Sequence, residues 1–314
     1  METTASYSPA VRARALFWMV VTTILWGGSF VFNKIGFREI APFTFMFLRF
    51  SLATVIMACI VVKRLPGMNR QIMKKGTLVG LALSAANLTF VLGVNGTSVS
   101  RAGFLNNLFV LIIPFLCFVV WRERVSRITS VGVFMAVAGL ASLARGGEAG
   151  FNSGDLLSMI SALFIALHII TVSKLLKDED VYLVTLVQFA VVALAGAILS
   201  LLFDPPFRSF GAVSTWTVIY CAVFPTVICC TLQNTWQRYS TPAQAGLVYT
   251  LDPIWSMMGG FVLLGERLTL VEWAGCALIF AGVAAPLLVQ SLGERARQRC
   301  AADPEVAPEA NGAV

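Results

Sequence analysis

The sequence predicts an all-α membrane protein with ten transmembrane helices in two inverted-topology repeats of five. Three observations predict it. The apolar residues fall in runs long enough to cross a bilayer, lysine and arginine gather on one side of those runs, and the chain repeats itself at an offset of 143 residues.

The runs come first. Of 314 residues, 58% are hydrophobic and 12% charged, against about 25% charged in soluble domains. That charge cannot cover a soluble surface. Candidate spans of about 20 residues, enough for a ~30 Å hydrocarbon core, lie at 15–36, 42–62, 76–96, 100–121, 128–146, 155–174, 182–203, 214–237, 243–264 and 271–290. The first run follows Arg12 and Arg14 but lacks an A-x-A cleavage site, so it reads as a retained helix. Residues 1–14 form an N-terminal segment. Residues 291–314, polar and rich in Pro, Ala and Glu, read as a disordered tail.

Charge placement sets orientation. With the N-terminus inside, the inner segments hold sixteen Lys and Arg and the outer ends six, with Arg49 left within a span. Both termini are therefore expected in the cytoplasm, with an even number of spans. The net charge of +7 sits in short loops between apolar runs. Lipid headgroups fit that placement, and nucleic acid does not. Six of the seven cysteines lie in apolar runs without zinc spacing, so neither metal nor cofactor is expected.

At the 143-residue offset, Ala102-Gly103, Phe118-Val119 and Glu123 fall on Ala245-Gly246, Phe261-Val262 and Glu266, and Gly132 and Gly139 on Gly275 and Gly282. Ten positions match between 102 and 141. The repeats are 15–146 and 155–290, joined by an outer, periplasmic linker at 147–154. Five spans is an odd number, so the second half enters the membrane the opposite way round, as in many secondary transporters.

"LWGGSFVFNKIG" (25–36), "FLRFSLA" (47–53), "SRAGFLNNLFVLIIPFLCFVVWRERVS" (100–126) and "TPAQAGLVYTLDPIWSMMGGFVLLGERLT" (241–269) carry a resemblance. In that order, over about residues 15–290, the chain resembles the EamA-like family of the drug/metabolite transporter superfamily. The resemblance implies the drug/metabolite transporter fold, a central cavity and alternating access. It also implies export of amino acids or other small metabolites across the inner membrane. One departure concerns the prolines expected to break helices. Pro114 lies nine residues before its Glu-Arg pair and Pro253 thirteen before, so the breaks are expected to differ by about one turn.

The candidate cavity residues are the polar groups at depth. Arg49 lies ~10 Å below the outer end of its span. It is either a structural arginine bonded to neighbouring carbonyls or a cavity cation for a carboxylate or phosphate. Asn106 and Asn107 share that depth and either complete a polar collar or tie helices together. Gln188 aligns with Arg49 at an offset of 139 and mirrors its depth from the inner end. Asp252, the deep carboxylate, precedes Pro253 near the midplane. It is either a partner of Arg49 or a proton carrier, which makes protons a candidate coupling ion. His168, the lone histidine, lies in the inner half of the sixth span and either lines the cavity, where it could titrate, or is hydrogen-bonded in the packing. Asn87, Trp26, Tyr249 and Trp255 lie at middle depths and read as cavity wall or as packing.

An intramembrane lipid-modifying enzyme needs a nucleophile or a metal cluster at shared depth. One histidine and one deep carboxylate do not supply it, so no enzyme activity is expected. A receptor or scaffold would leave the inverted repeat without a use. The expected partners are a small-molecule substrate and the bilayer, with the chain a monomer or weak oligomer. Substrate identity, direction, coupling ion and the partner of Arg49 stay open at this point.

Overall fold

Backbone hydrogen bonding in lipid leaves the chain little choice but helix, and all regular structure among the described residues is helical. The structure is a computed structural model and describes residues 8–27, 29–97, 99–123, 125–143, 152–206, 209–255, 257–258 and 269–302. The helices are α1 (Pro9–Gly27), α2 (Ser29–Gly36), α3 (Pro42–Val61), α4 (Arg70–Gly96), α5 (Val99–Asn106), α6 (Phe109–Trp121), α7 (Arg127–Leu143), α8 (Ser153–Leu175), α9 (Val181–Phe203), α10 (Ala212–Ala222), α11 (Cys229–Trp236), α12 (Pro242–Tyr249) and α13 (Leu270–Ala302). Among the described residues, eight stretches are long and apolar enough to cross a membrane, and Arg127–Ser142 is a shorter apolar helix. Most of the predicted linker, the end of the predicted ninth span from 259 and the chain beyond 302 lie outside the described residues. Residues 291–302, placed by composition in a disordered tail, instead continue α13. Glu, Arg, Gln and Ala in that stretch are good helix formers.

The helix starts are specified locally. Asn69 accepts a hydrogen bond from the Ile72 amide to open α4, and Asp180 accepts from Tyr182 and Leu183 to open α9. Asn152 with Asp155, and Thr241 with Gln244, form reciprocal capping boxes at α8 and α12. Each such cap stabilises a helix start by about 1 kcal/mol. At the other end of α6, Arg122 adopts a left-handed conformation (φ 53°) and its amide returns to the Cys117 carbonyl, which stops the helix. Glu39, in the turn after α2, ties that turn to the start of α10. It accepts from Ser214 Oγ at 2.7 Å and the Gly211 amide at 2.9 Å. Those bonds, the Ser214 one foremost, hold its carboxyl below the usual range.

The outer surface is apolar. On α6, Phe115, Phe118 and Val119 are exposed while Val110, Ile113 and Cys117 are buried. A continuous apolar exterior of this kind belongs against lipid, and the chain is a multi-pass membrane protein.

Two helix pairs join segments that the sequence repeat relates. Helices α3 and α9 run antiparallel. Thr44 donates from its amide (2.6 Å) and its hydroxyl (2.7 Å) to Asp204. Gly196 sits against the Phe47 backbone, and Phe50 meets Phe189 at 6.0 Å between ring centroids. Helices α7 and α13 also run antiparallel, and they start 143 residues apart. A Cβ on Gly139 would lie 2.6 Å from the Gly275 carbonyl oxygen, and one on Gly282 would lie 2.6 Å from that of Gly132. Glycine permits this approach because any side chain would displace the partner backbone. Gly132 and Gly275, and Gly139 and Gly282, are repeat mates, so the contact exchanges with itself under the repeat.

Replacing Gly139 by leucine should therefore cost about 1–3 kcal/mol through overpacking, read as a lower midpoint of thermal unfolding in detergent. Gly103→Ala should leave the midpoint unchanged or slightly raised, because nothing lies within 4 Å of its Cβ position.

Candidate functional site

Three interruptions of the helices meet at one cavity. The first is a turn at residues 107–108 between α5 and α6. The amides of Asn107 and Leu108 reach back three residues, to Phe104 and Leu105. The second is the corresponding turn at 250–251 after α12, where Thr250 bonds to Leu247 and Leu251 to Val248. Helices α5 and α12 begin and end 143 residues apart, so both halves interrupt the chain at the same repeat position. Pro114 does not mark the first interruption. It lies inside α6, and the break falls seven residues earlier at Asn107. Proline inside a transmembrane helix is tolerated where neighbouring groups satisfy the freed carbonyl. Pro253 does stand beside the second break. It has no N–H to give the Tyr249 carbonyl one turn back.

The third interruption is a π-helical turn, Val223–Ile228, between α10 and α11. Pro225 causes it. Lacking an N–H, it cannot serve the Cys221 carbonyl, and the Thr226 hydroxyl does so instead at 2.7 Å. The Pro225 carbonyl is turned outward and accepts from Trp26 Nε1 at 3.0 Å.

The cavity holds about 160 Å³, room for a small molecule rather than a single water. Arg49, Asn87, Asn106, Asn107, His168 and Asp252 all line it, with Trp26 and Tyr249 on its wall. Eight of the residues expected from sequence are thus brought together. Two are not in the lining. Gln188 stands one bond behind it, with Nε2 3.1 Å from His168 Nε2. Trp255 is bonded through Nε1 to Thr23 Oγ1 at 2.8 Å and packs in the core beside the cavity.

Arg49 is held by the π turn. Its Nε donates to Thr226 Oγ1 at 2.6 Å, and Nη1 reaches Asn33 Oδ1 at 3.4 Å. Its guanidinium carbon lies 5.3 Å from the Phe50 ring centre. The Thr226 hydroxyl therefore does two jobs, donating to Cys221 and accepting from Arg49. No carboxylate pairs with Arg49 among the described residues. Asp252 lines the same cavity, and its Oδ1 has no hydrogen-bond partner. The expected alternative of an Arg49–Asp252 ion pair is not formed. The Oδ1 atoms of Asn106 and Asn107 also lack partners, although both residues are buried, 6% and 2% exposed.

Below the cavity, toward the predicted inner side, a buried amide network joins α8, α9, α11 and α12. Asn234 Nδ2 donates to Gln188 Oε1 at 2.8 Å. Gln237 Nε2 donates to Ser173 Oγ at 2.8 Å, and its Oε1 accepts from Gln233 at 3.0 Å and from the Tyr249 hydroxyl at 3.2 Å. Gln233 also lines the cavity, as do Asn33 and Pro225. Sequence reasoning passed over these residues. Three amides within five residues of "QNTWQ" (233–237), and a proline within the apolar run before them, were the signals that could have found them. Among the described residues, no group of three His, Cys, Asp or Glu could hold a metal.

The profile of the EamA-like transporter family matches residues 13–145 and 152–287. An "uncharacterized transporter" of Archaeoglobus fulgidus is 27% identical over 274 residues, spanning 84% of this chain and 83% of that one. Another from the same organism is 26% identical over 285 residues, 84% and 94% of the two chains. The "uncharacterized transporter YetK" of Bacillus subtilis is 24% identical over 279 residues, 82% of each. A solved crystal structure superposes with a TM-score of 0.74 at 19% identity, over 88% of this chain and 97% of the other; at that identity the likeness concerns the fold.

Thr226→Val should lower stability by about 1–3 kcal/mol, because it strands the Cys221 carbonyl and the Arg49 Nε in a buried setting. Thr226→Ser should restore most of the loss. Thermal unfolding of the purified variants reads both.

Proposed function

Since the chain belongs to the EamA-like transporter family, we propose that it is a secondary transporter. It moves a small polar metabolite, such as an amino acid, across the inner membrane, outward, by alternating access. Both termini lie in the cytoplasm, and two inverted repeats of five helices surround the cargo. The observation that carries this reading is the cavity itself, lined by a guanidinium and a carboxyl group that do not bond to each other. A packing cavity in lipid would be apolar, because buried charge without a partner is costly. A cargo that enters and leaves can supply the missing partners in turn.

The repeat supports the mechanism. The two related helix pairs, α3 with α9 and α7 with α13, each pack antiparallel, as a two-fold axis in the membrane plane requires. The paired interruptions in α5–α6 and after α12 supply the irregular backbone that transporter sites use. Arg49 takes an acidic group of the cargo, with Thr226 and Asn33 fixing the direction of its guanidinium. Trp26, Phe50 and Tyr249 form the apolar part of the wall. Protons are the proposed coupling ion, with Asp252 as their carrier, and the working unit is the monomer.

Flux of candidate amino acids in proteoliposomes tests the reading. Arg49→Ala should weaken the apparent affinity for a carboxylate-bearing cargo by about 10–150-fold, the worth of a charge-assisted hydrogen bond. Arg49→Lys should recover part of it. A folded, inserted Arg49→Ala protein with unaltered flux and affinity would remove the guanidinium from the binding site.

A further inference from the structure

The cavity lining contains hydrogen-bond acceptors that no donor among the described residues serves. They are Oδ1 of Asp252, of Asn106 and of Asn107. The orientation of Asn107 is fixed, because its Nδ2 already donates to the Gly103 carbonyl at 2.8 Å and its Oδ1 must point elsewhere. All three residues stand at the two repeat-related interruptions. Asn106 and Asn107 are at the end of α5, and Asp252 directly follows the turn that ends α12. The two broken helices are neighbours, with Phe109 and Ile113 of α6 covering Gly246 of α12.

Such a group of oxygens lacks donors and includes the carboxyl group of Asp252. An anion would be repelled, and a neutral apolar group would leave every acceptor unsatisfied. A divalent ion would call for more than one carboxylate in so buried a place. We propose that the two helix interruptions together form a binding site for a monovalent cationic centre, held by Asp252, Asn106 and Asn107. An alkali ion and the protonated amine of a cargo share the required chemistry, namely a single positive charge and several contacts to oxygen. Arg49 supplies an opposite pole within the same cavity, bonded to Thr226 and Asn33 rather than to Asp252. The inference rests on the transporter reading only for where the bound cation goes next. Binding itself is independent of flux.

The experiment measures thermal unfolding of the purified full chain at fixed ionic strength. Tetramethylammonium chloride, which has no N–H donor, is replaced stepwise by sodium chloride or by methylammonium chloride. The expected result is a saturable rise in the unfolding midpoint for the native chain. Asp252→Asn should weaken the apparent affinity at least about tenfold, and Asn106→Ala should weaken it less. A response to sodium alone assigns the site to an alkali ion, a response to methylammonium alone assigns it to a cargo amine, and a response to both establishes the shared chemistry. No saturable rise, or an equal rise in the native chain and in both variants, overturns the proposal. Loss of flux with cation binding intact would count against the transporter reading and leave this site standing.

Discussion

In a bilayer every backbone polar group must be satisfied within the protein, and that constraint organises this molecule. A helix can be interrupted only where its freed groups are buried against protein or face a cavity. The interruptions at 107–108, at 223–228 and at 250–251 all come to the same cavity. Each is repaired locally. The two short turns tighten to three-residue bonds, and the π turn uses the Thr226 hydroxyl in place of the missing Pro225 N–H. The side chains beside them then carry the unusual chemistry: Arg49 on Thr226, Trp26 on the Pro225 carbonyl, and Asp252 next to Pro253.

The two halves are alike in where they break and unlike in what they place there. Helices α5 and α12 end at the same repeat position, yet one ends in Asn106 and Asn107 and the other leads into Asp252-Pro253. Arg49 faces the cavity, while Gln188, its counterpart at an offset of 139, is fully buried and bonded to His168 and Asn234. The π turn has no equivalent in α4, which runs unbroken from Arg70 to Gly96. A duplicated frame with unequal fillings gives a cavity with a basic pole and an acidic pole, and leaves an amide network beneath it.

Much of this was legible in the sequence because lipid enforces simple rules. Apolar runs give spans, and a charge or amide inside a run stands out against them. That is why Arg49, Asn106, Asn107, His168 and Asp252 could be named before the cavity was described. What escaped was of two kinds. Thr226 and Asn33 are small polar residues of a sort that often serves helix packing, and their role depends on which neighbour they face. The break at Asn107 carries no proline, whereas Pro114 sits in a helix that tolerates it. A missing N–H marks where a helix is weakened, and packing decides where it opens. The network of Gln233, Asn234 and Gln237 was readable as a polar cluster, but its function in joining four helices needed their arrangement in space.

The central claim is that the three interruptions open their backbone to a water-accessible cavity, while the continuous helices that also line it keep their backbone hydrogen bonds. Backbone hydrogen exchange of the protein in nanodiscs, followed by mass spectrometry, tests it most directly. The account predicts that peptides covering 105–110, 223–229 and 248–253 exchange well ahead of the continuous helices α4 and α9. Uniformly slow exchange across these peptides, equal to that of α9, would contradict it.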